Sequence, residues 1–144
     1  MTVGPSAANA LRNSRSSAAA LAAKLARPEL PVVCVLGDGC FQMTCGEVAV
    51  ARREGLAIPF VVLDDRWLSL IKVKQERRGL PYYGTEVSPG EFQSPPAHYF
   101  GVPAWGVDSA ATLERELRKA FTANGPTIIE AQVDSAHYSQ TVFD

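Results

Sequence analysis

Apolar residues in this chain gather in short blocks separated by polar, glycine-rich stretches, and the blocks alternate between strand-like and helix-like periods. Val32-Val33-Cys34-Val35-Leu36 and Phe60-Val61-Val62-Leu63 are unbroken apolar runs of strand length, as expected of strands covered on both faces. The stretch between them, residues 42–54, reads as a helix. Gly37-Asp38-Gly39 closes the first run as an acidic glycine loop, and Asp64-Asp65 closes the second. Upstream, Ala18, Leu21, Ala22 and Leu25 recur at helical spacing, and Pro28 ends that helix. Downstream, residues 103–107 are strand-like, residues 110–124 form an amphipathic helix, and residues 127–133 form a further strand. Ser109 suits the N-cap of that helix, Leu113, Leu117, Ala120 and Phe121 form its apolar stripe, and Gly125-Pro126 stops it. The alternation predicts an α/β fold: a three-layer sandwich with a mostly parallel sheet and helices on both faces.

A strand–helix–strand unit makes its two strands parallel neighbours, so their carboxyl ends lie side by side. Asp38 and Asp65 would then converge at one crevice, where open α/β sheets bind ligands. Two carboxylates beside glycine amides suit a divalent metal holding a phosphate. Taken singly, each acidic tip is ordinary turn chemistry. Glycine at 37 and 39 would let a phosphate approach the backbone, and the helix beyond presents its positive end to the same anion.

Other segments carry weaker signals. Four cations and Glu76 within residues 72–78 read as a solvated helix end. Residues 79–96, with four prolines and three glycines, read as a long loop, and residues 97–100 as a short helix ending at Gly101. His98 and His137 are isolated and read as surface or packing residues.

With 144 residues, one domain is the natural count: an irregular segment over 1–17, a folded domain over 18–134 and a tail over 135–144. A net charge of −1 gives no electrostatic case for nucleic acid or an anionic membrane surface. Cys34, Cys40 and Cys45 are odd in number and lack zinc-site spacing, which points to a reducing, cytoplasmic setting. No stretch approaches the ~20 apolar residues of a membrane-spanning helix. Arg12 and Arg15 in an acid-poor leader have the flavour of a transit peptide, but the Ala-Leu run that follows reads better as a helix.

Asp65 follows Asp38 by 27 residues. Gly-Asp-Gly followed at that distance by an Asn-Asn or Asn-Asp pair is the thiamin diphosphate motif, and residues 31–75 resemble the diphosphate-binding domain of 2-oxo-acid decarboxylases and acetolactate synthase-like enzymes. Phe41-Gln42-Met43-Thr44, Glu47 and Gly55-Leu56 before Pro59 strengthen the likeness, which extends over roughly residues 18–133. The resemblance implies thiamin diphosphate and Mg²⁺ as cofactors. It implies Gly37, Asp38, Gly39, Cys40, Asp65 and Trp67 as cofactor-binding positions, with the carboxylates of Asp38 and Asp65 and the backbone carbonyl of Trp67 as metal ligands. An all-oxygen shell of this kind is what Mg²⁺ demands.

Three positions depart from the family pattern. Asp64 stands where relatives usually carry Asn, and adds negative charge. It either points away to donors of its own or makes the site demand a metal more strongly. Cys40 stands where many have Ser, and a thiol donates weakly. Residues 9–17 do not match the family's Gly-x-Met-Gly-like turn.

In such enzymes the cofactor attacks a 2-oxo acid and acts as an electron sink after CO₂ loss. The glutamate that activates it belongs to a separate pyrimidine-binding domain. The resemblance therefore implies a partner, in another chain or in a missing segment, and a homo-oligomer. Glu47 lies on the diphosphate side and is not that residue. A second reading stays open: a catalytically silent α/β domain kept for assembly or ligand binding.

Overall fold

The structure, a computed structural model, describes residues 15–88 and 95–138. Most of the 1–17 segment, the centre of the 79–96 loop and the end of the tail lie outside the described residues. Helix α1 spans Ser16–Ala26, strand β1 Cys34–Gly37, helices α2 Asp38–Thr44 and α3 Gly46–Arg53, and strand β2 Pro59–Asp64. Helix α4 spans Ser69–Arg77, strands β3 His98–Tyr99 and β4 Val102–Val107, helix α5 Ala110–Ala120 and strand β5 Thr127–Gln132. The five strands form one sheet in the order β1-β2-β5-β4-β3. All neighbours are parallel except the β3–β4 hairpin.

The expected adjacency of the two apolar runs holds, with Cys34 opposite Phe60 and Gly37 opposite Leu63. Helices cover both faces. Alternation along the strands sends Phe60, Val62, Ile128, Val102 and Ala104 to one side, where they meet Ala20 and Leu21 of α1, Phe41 of α2, and Val48 and Ala51 of α3. Val61, Ile129, Ala131 and Val107 point to the other side, against Leu113, Leu117 and Ala120 of α5.

Four expectations about elements need correction. The helix expected over 42–54 begins at Asp38 and is two helices that meet at Cys45, so Asp38 and Gly39 open a helix rather than form a loop. Thr44 explains the break: its hydroxyl donates back to the Cys40 carbonyl at 2.9 Å, a bond that competes with the helix ladder. Residues 97–100 are not helical. Phe100 (φ 52°) and Gly101 (φ 78°) are both left-handed, the signature of a two-residue type I′ turn, and His98-Tyr99 pairs with Val102-Pro103 across it.

The buried face of α1 is Ser16, Ser17, Ala20 and Leu21, whereas Leu25 is 59% exposed. Small residues seat this helix closely, and the Ser17 hydroxyl is hydrogen-bonded to that of Thr44 at 3.0 Å. Helix α5 ends at Ala120, with Phe121 as its C-cap, so Phe121 lies largely outside the buried stripe. Its start is as expected: the Ser109 side chain accepts from the Thr112 amide in a reciprocal capping box.

Candidate functional site

The chain runs from β1 straight into α2, with Gly37 extended (φ −80°, ψ 161°) at the junction. Asp38 is thereby held at the carboxyl end of β1, beside the end of β2 that carries Asp64 and Asp65. Asp38 Oδ1 accepts from the Gly39 amide at 2.6 Å, while Oδ2 is buried and has no hydrogen-bond partner. Burial pushes this carboxyl up to about 7, opposed by the Gly39 amide and helped by the neighbouring Asp64 carboxyl and the Asp65 charge. Gly39 has a steric reason as well: a Cβ there would stand 2.6 Å from Leu68 Cδ2.

The two acids at the end of β2 point to different sides, as strand alternation requires. Asp64 is buried and lines a cavity of about 220 Å³ with Asp38, Phe41, Tyr99 and Glu130. It has a donor of its own, the Arg66 amide at 3.0 Å, yet it does not point away from Asp38. Asp65 lines a second, more open crevice with Arg66, Trp67, Asp108, Gln132 and Asp134. Its Oδ1 accepts from the Trp67 amide at 2.9 Å and its Oδ2 from the Ser69 hydroxyl at 2.7 Å. A carboxylate offers about four lone-pair directions, so both oxygens of Asp65 keep capacity for a further ligand.

Trp67 forms an isolated antiparallel bridge with Glu86, made by Val87 N–H to the Arg66 carbonyl (2.8 Å) and Leu68 N–H to the Thr85 carbonyl (2.7 Å). Neither bond of that bridge engages the Trp67 carbonyl, which accepts no backbone bond among the described residues. The indole lies under the Lys72 ammonium, 4.0 Å from the ring centroid, with Tyr82 beside it. Cys40 is half-buried and packs against the core below α2. Among the described residues, no group of three or more His, Cys, Asp and Glu side chains is arranged to hold a metal ion. The candidate ligand set has only two carboxylates plus a carbonyl.

Three residues of the site were missed in the sequence. Glu130 sits in the middle of β5 and accepts from the Tyr99 hydroxyl at 2.6 Å; Tyr99 in turn meets Phe41 edge-on. Burial and the Asp64 charge raise the Glu130 carboxyl, against the opposing Tyr99 bond. The signal was present, since an acid in phase with Ile128 on an apolar strand must face the covered side. Tyr138 carried no signal of this kind. Its phenol is raised by burial, by the Asp65 charge and hydrogen bond, and by the Asp38 charge, which places it against the same carboxylates.

Residues 14–131 match the family described as thiamine pyrophosphate (thiamin diphosphate) enzyme, C-terminal TPP binding domain. The chain belongs to that family. It is 32% identical over 123 residues to the acetolactate synthase large subunit of Porphyra purpurea, covering 80% of this chain and 20% of that protein. Against the acetolactate synthase large subunit of Lactococcus lactis it is 31% identical over 125 residues, covering 83% and 21%. The chain thus spans about a fifth of the length of these relatives. Its fold resembles that of a thiamine diphosphate-dependent 4-hydroxybenzoylformate decarboxylase from Rhodococcus jostii, with a TM-score of 0.74, 21% identity, and coverage of 85% of this chain and 23% of that one. No helix among the described residues is long and apolar enough to cross a membrane.

Proposed function

We propose that this domain anchors the diphosphate end of thiamin diphosphate through Mg²⁺, as one half of an acetolactate synthase-like or decarboxylase active site. The observation that carries the reading is Asp38 Oδ2: a buried carboxyl oxygen with no partner, at the carboxyl end of adjacent parallel strands, within reach of the charges of Asp65 and Asp64. Such an oxygen is costly unless a proton or a cation satisfies it. Asp38, Asp65 and the carbonyl of Trp67 would hold the metal, and the backbone at Gly37, Gly39 and Cys40 would lie along the diphosphate. The half-buried thiol of Cys40 supports a backbone contact there rather than one through sulfur.

When bound, thiamin diphosphate supplies a carbon nucleophile and an electron sink for 2-oxo acids. This chain's own contribution is to hold the charged end and to fix the metal's ligands. Asp65 is kept in place by Trp67 N–H and Ser69 Oγ–H, and Asp64 by Arg66 N–H. The activating glutamate would come from a pyrimidine-binding domain in another chain or segment. Leu25, Leu70 and Ile71 are each at least half exposed, which supports association with such a domain and with further copies.

Calorimetry with Asp38→Ala tests the reading. Mg²⁺-dependent thiamin diphosphate binding should disappear while the circular dichroism spectrum is retained, because Asp38 sits at a helix start and fills no core position. Asp65→Ala should behave in the same way. Unchanged affinity in either variant would overturn the assignment.

A further inference from the structure

We propose that Arg66 is an anion-binding residue whose guanidinium takes oxygens of the diphosphate held at this crevice. The inference rests on the reading above, that the domain holds a metal–diphosphate group. Among the described residues, two side-chain atoms of ionisable groups are buried without a hydrogen-bond partner, one from an acid and one from a base: Asp38 Oδ2 and Arg66 Nη1. The two atoms line neighbouring cavities at the same end of the sheet, and a metal joined to a diphosphate carries a partner of the right sign for each, a cation for the aspartate and anionic oxygens for the guanidinium.

The backbone at Arg66 is held in an uncommon shape. Its φ is 67°, in the left-handed region that side-chain-bearing residues rarely adopt. Both of its peptide groups are clamped: Arg66 N–H donates to Asp64 Oδ1 at 3.0 Å, and its carbonyl accepts from Val87 N–H at 2.8 Å. Strain maintained in this way, between two candidate ligand residues, is of the kind that clusters at ligand-binding positions.

Among the described residues, Arg66 is ion-paired to none of the acids around it. Its crevice includes Asp65, Asp108 and Asp134. Asp65 accepts from Trp67 N–H and Ser69 Oγ–H, Asp134 from Ala136 N–H at 2.8 Å, and Asp108 from Thr112 Oγ–H at 3.5 Å. The guanidinium therefore remains available for an anion, and its planar fork matches phosphate oxygens better than any other side chain. It also offsets the additional negative charge of Asp64.

The test uses the 144-residue chain in isothermal titrations with inorganic diphosphate plus Mg²⁺, thiamin diphosphate plus Mg²⁺, and Mg²⁺ alone. Arg66→Gln removes the charge, and Arg66→Gly also relieves the left-handed strain, so a folding defect cannot imitate the effect in both; thermal melts check this. Both variants should lose about ten-fold or more in affinity for the two anions and show a shallower salt dependence, while binding Mg²⁺ alone no less tightly. Wild-type-like affinity for the anions in the variants overturns the role of Arg66 and leaves the site reading intact. Parallel loss of binding to Mg²⁺ alone also overturns it, since the residue would then act by shaping the metal loop. A wild-type chain that binds neither anion overturns both.

Discussion

Asp38 binds a proton over a pH range in which an ordinary aspartate has lost one. Its carboxyl is lifted from 3.8 to about 7, so between those values the folded chain holds a proton that the unfolded chain has released. Stability therefore falls as pH rises through that window, and the raised Glu130 carboxyl acts in the same direction. Melting temperatures measured from pH 5 to pH 8 should decline, and Asp38→Asn should flatten the decline. A rising profile would contradict the burial assigned to Asp38. Asp64→Asn belongs to the same scale. The amide keeps an oxygen for Arg66 N–H and removes a like charge from beside Asp38, so Mg²⁺-dependent cofactor affinity should stay equal or increase. A marked loss on calorimetry would mean that Asp64 itself ligates the metal.

At the scale of elements, the β3–β4 hairpin determines where Tyr99 meets Glu130. Gly101→Ala places a Cβ in the left-handed region and against the Arg52 guanidinium, which donates to the Phe100 carbonyl at 2.7 Å. A loss of about 1–2 kcal/mol in urea unfolding is expected, and no loss would show the turn to be dispensable. Ser109→Ala should cost about 1 kcal/mol through the missing cap. The sequence made some of these elements legible and hid others. The apolar runs at β1, β2 and β5 and the cap at Ser109 were readable because each depends on local period and local chemistry. The hairpin was not, because Phe100 adopts a left-handed angle in a turn whose carbonyl is held by Arg52, distant in sequence. The face of α1 was read correctly only at Leu21, because Ser16, Ser17 and Ala20 pack inward beside it while Leu25 stays exposed. For the site, the spacing of Asp38 and Asp65 was legible, while the closeness of Asp64, Glu130 and Tyr138 depends on the sheet and on chain segments far apart in sequence.

For the molecule as a whole, Leu25, Leu70 and Ile71 leave apolar surface exposed. Sedimentation at high micromolar concentration should show a dimer or larger species, and a clean monomer would contradict the assembly reading. The chain by itself should not accelerate decarboxylation of pyruvate or benzoylformate beyond free cofactor, because general acid–base assistance, typically ~10²–10⁴-fold, would come from the partner domain. Turnover by the pure chain would assign the activating role to a carboxylate such as Glu47. The strand order adds a constraint of a different kind. The two central strands, β2 and β5, are joined in register from Pro59 and Thr127, roughly 70 residues apart, so the middle of the sheet closes only after a long loop has been organised. Until β5 leaves the ribosome, β2 has β1 as its sole strand partner among the described residues, and its other edge, Pro59 to Asp64, stays open to adventitious pairing. A stop codon ahead of Thr127 would therefore yield a chaperone client or an aggregate, not a shortened domain.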